Sequence, residues 1–244
     1  MKKIFGLVLV LFLTSAVYGQ LWFDVGLKGG GGSGFLMNKT LSSDPRFSIN
    51  PGSNYFYGGK IGINYGYNVS IATDFTLGNN TFSFNQAELG AATNTFKYTI
   101  NYKTFNITPL FRFTKDASYI ELGPEFCMVN KANYSDEYTL AVKADATDEI
   151  NSKLTNLVFG FGGYIVGNEI VALQMGMRVH YTLGNLTSPD YESGRYPFTN
   201  YSDVPTGVAT KPFTLQFHLE LNISLGQIAR STTKCGRRVA FLSF

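Results

Sequence analysis

Charge is scarce in this chain. Asp, Glu, Lys and Arg make up 15% of its 244 residues, against about 25% in a typical soluble protein. A surface that is wetted on every side needs more charge than that. Histidine occurs twice, tryptophan once and cysteine twice. The cysteines, Cys127 and Cys235, allow one disulfide at most, and their spacing leaves the pairing open. After the first twenty residues no apolar run is long enough to cross a bilayer as a helix, so a place in a membrane would have to be taken by strands. The GxSxG, HExxH and GxxxxGKS patterns are absent, which removes the common hydrolase, metalloprotease and phosphate-loop readings. The formal net charge of +3 includes terminal lysines and arginines and points to no nucleic-acid partner.

What is abundant is Phe (21), Gly (26) and Tyr (15), arranged with a period of two. The stretch FTLQFHLELNISL (213–225) alternates Phe, Leu and Ile with Thr, Gln, His, Glu, Asn and Ser. That spacing predicts a strand with one apolar and one polar face. Similar alternation predicts eight strands near 21–34, 54–66, 69–79, 98–114, 118–130, 154–166, 169–183 and 213–225. Short connections at 65–68, 114–118 and 166–169 alternate with long ones at 35–53, 80–97, 131–153 and 184–212, so all the long ones fall at one end. Several runs exceed ten residues, whereas soluble strands average about 5–6. The polar positions are rich in Gly and small residues, and poor in the Lys and Glu of a solvated face. The fold class expected is therefore all-β, an eight-stranded antiparallel up-and-down transmembrane barrel with leucines facing lipid. A soluble sandwich or lipocalin-like barrel is the rival.

The N-terminus, MKKIFGLVLVLFLTSAVYGQ, has a basic start, an apolar core from Ile4 to Leu13 and small residues before Gln20. This is the layout of a cleaved export signal. It divides the chain into a signal at 1–19, a barrel at 20–226 and a basic, then apolar, periplasmic tail at 227–244.

The stretches YGGKIGINYGYNVSI (57–71), FNITPLFRF (105–113), YIELGPEF (119–126) and LVFGFGGYIVGNEIVALQMGMRVHYTLGNL (157–186) resemble the PorT-like or porin-family outer-membrane barrels of Bacteroidetes-type bacteria. The resemblance implies fold and location: a bacterial outer membrane, reached through periplasmic chaperones and the barrel-assembly machinery. It selects no activity, and no cofactor or metal is expected.

With the apolar face outward, the lumen receives Lys28, Lys60, Arg112 and Arg178 together with Asp24, Asp74, Glu121, Glu125 and Glu220. His180, His218, Gln174, Gln216 and Asn222 lie among them. Eight strands leave room for little beyond their own side chains, so these charges should pair and close the lumen. Arg112 is expected to serve Glu121 or Glu125. The function expected is a structural or interaction protein of the cell envelope, acting through its external loops. The alternatives are a narrow channel and, behind it, a lipid-modifying enzyme. Co-facing of His218, Glu220, Asn222 and Ser224 follows from strand geometry and is not by itself catalytic. Tyr191, Arg195, Tyr196, Phe198 and Tyr201 are candidate contacts for an envelope protein or a glycan.

Overall fold

The computed structural model describes residues 21–66, 68–88, 91–137, 140–168, 170–188 and 209–225. The export segment, the contacts at Tyr191, Arg195, Tyr196, Phe198 and Tyr201, Cys235 and the tail lie outside the described residues.

Among the described residues there are ten strands and one short helix. They are β1 (Leu21–Met37), α1 (Lys39–Ser43), β2 (Phe47–Asn50), β3 (Gly52–Tyr65), β4 (Val69–Glu88), β5 (Ala91–Lys115), β6 (Ser118–Asp136), β7 (Ala141–Asp145), β8 (Lys153–Gly167), β9 (Val171–Thr182) and β10 (Lys211–Ser224). Eight of them build a wall in the order β1-β3-β4-β5-β6-β8-β9-β10, and β10 pairs back onto β1. All of these pairings are antiparallel. The sheet is thus a closed up-and-down barrel without a free edge in the wall. The closing seam uses the run KGGGG: a Cβ at Gly30 or Gly32 would fall 2.1 or 1.9 Å from a carbonyl oxygen of β10. Only glycine lets the two backbones approach so closely.

The turns at one end are tight. β5 and β6 are joined by Asp116-Ala117, with Lys115 opposite Ser118 and Asp116 at φ 54°, a conformation Asp tolerates better than most side chains. Gly66 takes φ 61° between β3 and β4. β1 starts and β10 ends at this same end.

At the other end the structure corrects the sequence reading. The stretch 80–97, expected as a loop, is largely strand: β4 and β5 run on past the wall, with register from Asn80↔Tyr102 to Ala87↔Thr95. β2 adds to β4, and β7 adds to β6. The 35–53 and 131–153 connections therefore carry short strands of their own. Above the polar lumen, the inward positions become apolar. Leu36, Phe82, Phe84, Tyr98, Ile100, Tyr102, Leu154, Ile150 and Leu186 are buried together, with Phe84 stacked on Tyr98 at 5.1 Å and Phe82 on Tyr102 at 5.9 Å. Backbone bonds from Leu186 N to Thr210 O and from Asn151 N to Leu186 O, each 2.8 Å, tie the long connections across this core. The barrel is closed by an ordinary hydrophobic core at its long-connection end.

Candidate functional site

Side chains along each strand sort by parity. On β10 the odd positions face out, with Phe217 57% and Leu219 51% exposed. The even positions His218 and Glu220 are 2% and 0% exposed. Leu27, Ile61, Ile71, Phe111, Ile120, Leu122, Phe159 and Met175 are likewise outward and exposed. On β6 the outward apolar set runs from Ile120 to Met128, about 26 Å along the strand at 3.3 Å per residue. A soluble barrel would put these residues inside. Here the polarity is reversed, as lipid requires.

Inside, the eleven charged and histidine residues expected in the lumen are all buried, and eight of them form one connected network of ion pairs. Glu220 is its hub. It accepts Lys28 at 2.7 Å, Lys60 at 2.8 Å and Arg112 at 2.9 Å. Asp74 accepts Lys28 and Arg178, each at 2.7 Å. Glu121 accepts Arg112 at 2.9 Å and Arg178 at 2.5 Å. Asp24 closes the short-turn side on Lys60 at 3.2 Å. Gln174 Oε1 accepts a further Arg112 bond of 2.9 Å, and Asn222 Nδ2 donates to Glu220. Every carboxylate in this layer touches at least one cation, and every cation touches two carboxylates. Such sharing is what allows charges to be taken out of water.

One expected pairing is different. Arg112 serves Glu121 and Glu220, not Glu125. Glu125 lies higher, where His180 Nδ1 meets its Oε1 at 3.0 Å, Thr108 donates at 3.0 Å and Asn156 at 2.7 Å. The free thiol of Cys127 is beside it, with Asn156 Nδ2 3.1 Å from the sulfur. Spacing along the strands told which side chains face inward, but it could not tell which of two carboxylates on β6 an arginine on β5 reaches. Register did: Arg112 is directly opposite Glu121.

Tyr119 was missed in the sequence. It faces inward from β6, lies under the Arg112 guanidinium at 4.1 Å and shares a hydrogen bond with His218 Nε2 at 3.1 Å. Its ring occupies space vacated by Gly162 and Gly176: a Cβ at either would come within 2.5 Å of the phenol. Two glycines at the same inward level on β8 and β9, opposite each other, were the available signal.

The network divides the lumen. A void of about 30 Å³ lies on the long-connection side, lined by Thr104, Asn106, Glu125, Cys127, Arg178 and His180 among others. One of about 10 Å³ lies on the other, beside Asp24, Lys60, Arg112, Gln174 and Asn222. Spaces of this size hold one to a few waters, and the ion-paired side chains lie between them. Among the described residues no cluster of three His, Cys, Asp or Glu is placed to hold a metal, and the two histidines are engaged with Tyr119 and Glu125.

A closed antiparallel sheet, apolar outside and ion-paired inside, defines a transmembrane β-barrel of the outer-membrane type. No protein-family model and no curated protein matches the chain. Solved structures similar to it include the attachment invasion locus protein Ail of Yersinia pestis, solved with the heparin analogue sucrose octasulfate, at 10% identity over 83% of this chain and 99% of that one, with a TM-score of 0.39. Neisserial surface protein A gives 13% identity, 82% and 96% coverage and a TM-score of 0.36. OprG of Pseudomonas aeruginosa gives 9%, 85% and 96%, and 0.39. At these values the assignment of the fold stands on the chain's own strand order, closure and polarity.

Proposed function

We propose that this chain is a closed scaffold barrel of the bacterial outer membrane, holding an external platform built from its long connections. The observation that carries the reading is the ion-paired layer through Glu220, Asp74 and Glu121, with voids of about 30 and 10 Å³ on its two sides. A conducting pore needs a continuous wet path, and a catalyst needs room for substrate beside its reactive groups. By the rule for such barrels, short turns and both strand termini are periplasmic and the long connections external. The hydrophobic core at the external end then serves to hold β2, β7 and the loop segments in one fixed arrangement, suited to contacting an envelope protein or a glycan. The export layout of residues 1–19 and the resemblance to PorT-like barrels agree with that location, and delivery would use periplasmic chaperones and the barrel-assembly machinery.

Single-channel recording in a planar lipid bilayer tests the reading. The refolded chain, shown to be folded by a heat-dependent shift on a gel, is expected to be silent. Reproducible conductance steps would overturn the closed lumen and make the chain a narrow channel.

A further inference from the structure

Lysine is nearly absent from the outer wall of the barrel until the apolar belt stops on the external side. There, three appear on adjacent strands. Lys103 on β5 stands directly opposite Lys131 on β6, with Cα atoms therefore about 5 Å apart. Lys153 on β8 is opposite Met128, itself opposite Phe105, so it lies one step below that pair. All three are exposed, and Phe105 and Met128 are the last outward apolar residues of β5 and β6.

Like charges placed directly across a strand pair are destabilising, yet none of the three lysines forms an ion pair among the described residues. The acid nearest in effect is Asp145. Its carboxyl is held below the ordinary range mainly by Thr147, whose amide and hydroxyl donate at 3.0 and 2.6 Å, and only to a smaller extent by Lys131. The arrangement costs stability unless an anion is shared between the ammonium groups. Its height selects the anion. The lysines begin where the belt ends and point to the lipid side, and their long stems can extend along apolar surface while the charge reaches the headgroups. A soluble polyanion would meet Lys39 and Lys143 on the outer loops more readily.

We infer that Lys103, Lys131 and Lys153 form a binding site for the phosphate-bearing headgroup of a lipid in the external leaflet. The inference rests on the outer-membrane reading above, because that reading sets the orientation. It adds a specific lipid partner on one side of the barrel, over β5, β6 and β8.

The test is native mass spectrometry of the full chain refolded in micelles. It is offered a bis-phosphorylated glucosamine-disaccharide lipid and the dephosphorylated form of the same lipid at equal concentration. The parent chain is expected to retain the phosphorylated form about tenfold better, given the attraction each surface lysine contributes. The K103Q/K131Q/K153Q variant should lose that preference, and the corresponding triple arginine variant should keep it. K39Q/K143Q should behave as the parent. Since none of the three lysines forms an ion pair among the described residues, the glutamine variant should fold, which its gel shift checks. Equal retention of both lipids by the parent, or a preference that survives the triple glutamine change, overturns the inference. So does an equal loss in K39Q/K143Q, which would mean that net charge alone was being read. A parent chain without a heat-dependent shift would instead overturn the barrel reading on which the site depends.

Discussion

Glu220 shows why the interior depends on single residues. It is fully buried and touches Lys28, Lys60 and Arg112 at once. Neutralising it leaves one fewer negative charge among cations that have no water to turn to. Glu220→Gln should therefore cost about 3–5 kcal/mol, the usual penalty for breaking a buried pair by removing one partner. Urea unfolding in micelles, followed through the buried Trp22, measures it, and a change below about 1 kcal/mol would mean the network relaxes or hydrates. Gly176 makes the complementary point, because there the missing side chain is the requirement. Its Cβ would meet Tyr119 Oη at 2.5 Å and the His218 ring at 2.7 Å. Gly176→Ala should cost about 1–3 kcal/mol as an overpacking change. Adding Tyr119→Phe removes one of the two obstructing groups, so the double variant should lose less than the sum of the singles. Strict additivity in that cycle would show that Tyr119 is not what fills the glycine space.

The strands β4 and β5 carry two chemistries on one inward face. Along β4 that face reads Asp74, Thr76, Gly78 and Asn80, then Phe82, Phe84 and Gln86; Asn80 is half-buried, and the other side chains of the set are buried. Parity never changes, but the medium does: below Asn80 the lumen is polar, and above it the other connections supply apolar partners. This predicts that the two halves fail separately. Phe84→Ala removes the ring stacked on Tyr98 and should cost the extension about 3 kcal/mol, while the wall keeps its heat-dependent gel shift. Limited proteolysis should then cut the variant within 80–88 or 91–100 faster than it cuts the parent. Cleavage with loss of the gel shift would mean that extension and wall unfold as one unit. The same strands show what could be read in advance. The wall and its inward set were legible because alternation with a lipid-facing side is a constraint every wall residue obeys. The extension was not, since Gly78-Asn79-Asn80 has the composition of a turn and Phe82 and Phe84 follow it in a stretch without sustained alternation. Only their burial against Leu36, Ile150 and Leu186, from three distant parts of the chain, distinguishes a capped core from an external loop. The exchange of Glu125 for Glu220 as a partner of Arg112 was hidden for a similar reason, because lateral reach across a barrel is not a property of any one strand.

At the scale of the whole molecule the lumen has two stoppers in series. The charge layer crosses it at the level of Glu121, Asp74 and Glu220, and the apolar core spans the long-connection mouth with residues from β1, β2, β4, β5, β6 and β8 and from the segments after β7 and β9. Neither borrows side chains from the other except through the void between them, whose wall carries Arg178 and His180 below and Tyr102 and Leu154 above. Series closure has a consequence that a single plug would not. Replacing Arg112, Arg178, Glu121 and Glu220 together by alanine removes two positive and two negative side chains, so the layer stays neutral, with Lys28 still on Asp74 and Lys60 on Asp24, while space opens between the two voids. That variant should still be silent in a planar bilayer, because the apolar mouth remains shut. Adding Phe82→Ala and Tyr102→Ala, which remove one stacked pair from the mouth, should produce small conductance steps if the barrel still shows its heat-dependent shift. Conductance in the fourfold variant alone would assign closure to the charge layer and leave the external core a purely structural task. Silence in the sixfold variant, with the barrel folded, would mean that the remaining apolar residues still seal the mouth, with Phe84 and Tyr98 the next pair to remove. The order in which the lumen opens therefore reports directly which of the two layers keeps this barrel shut.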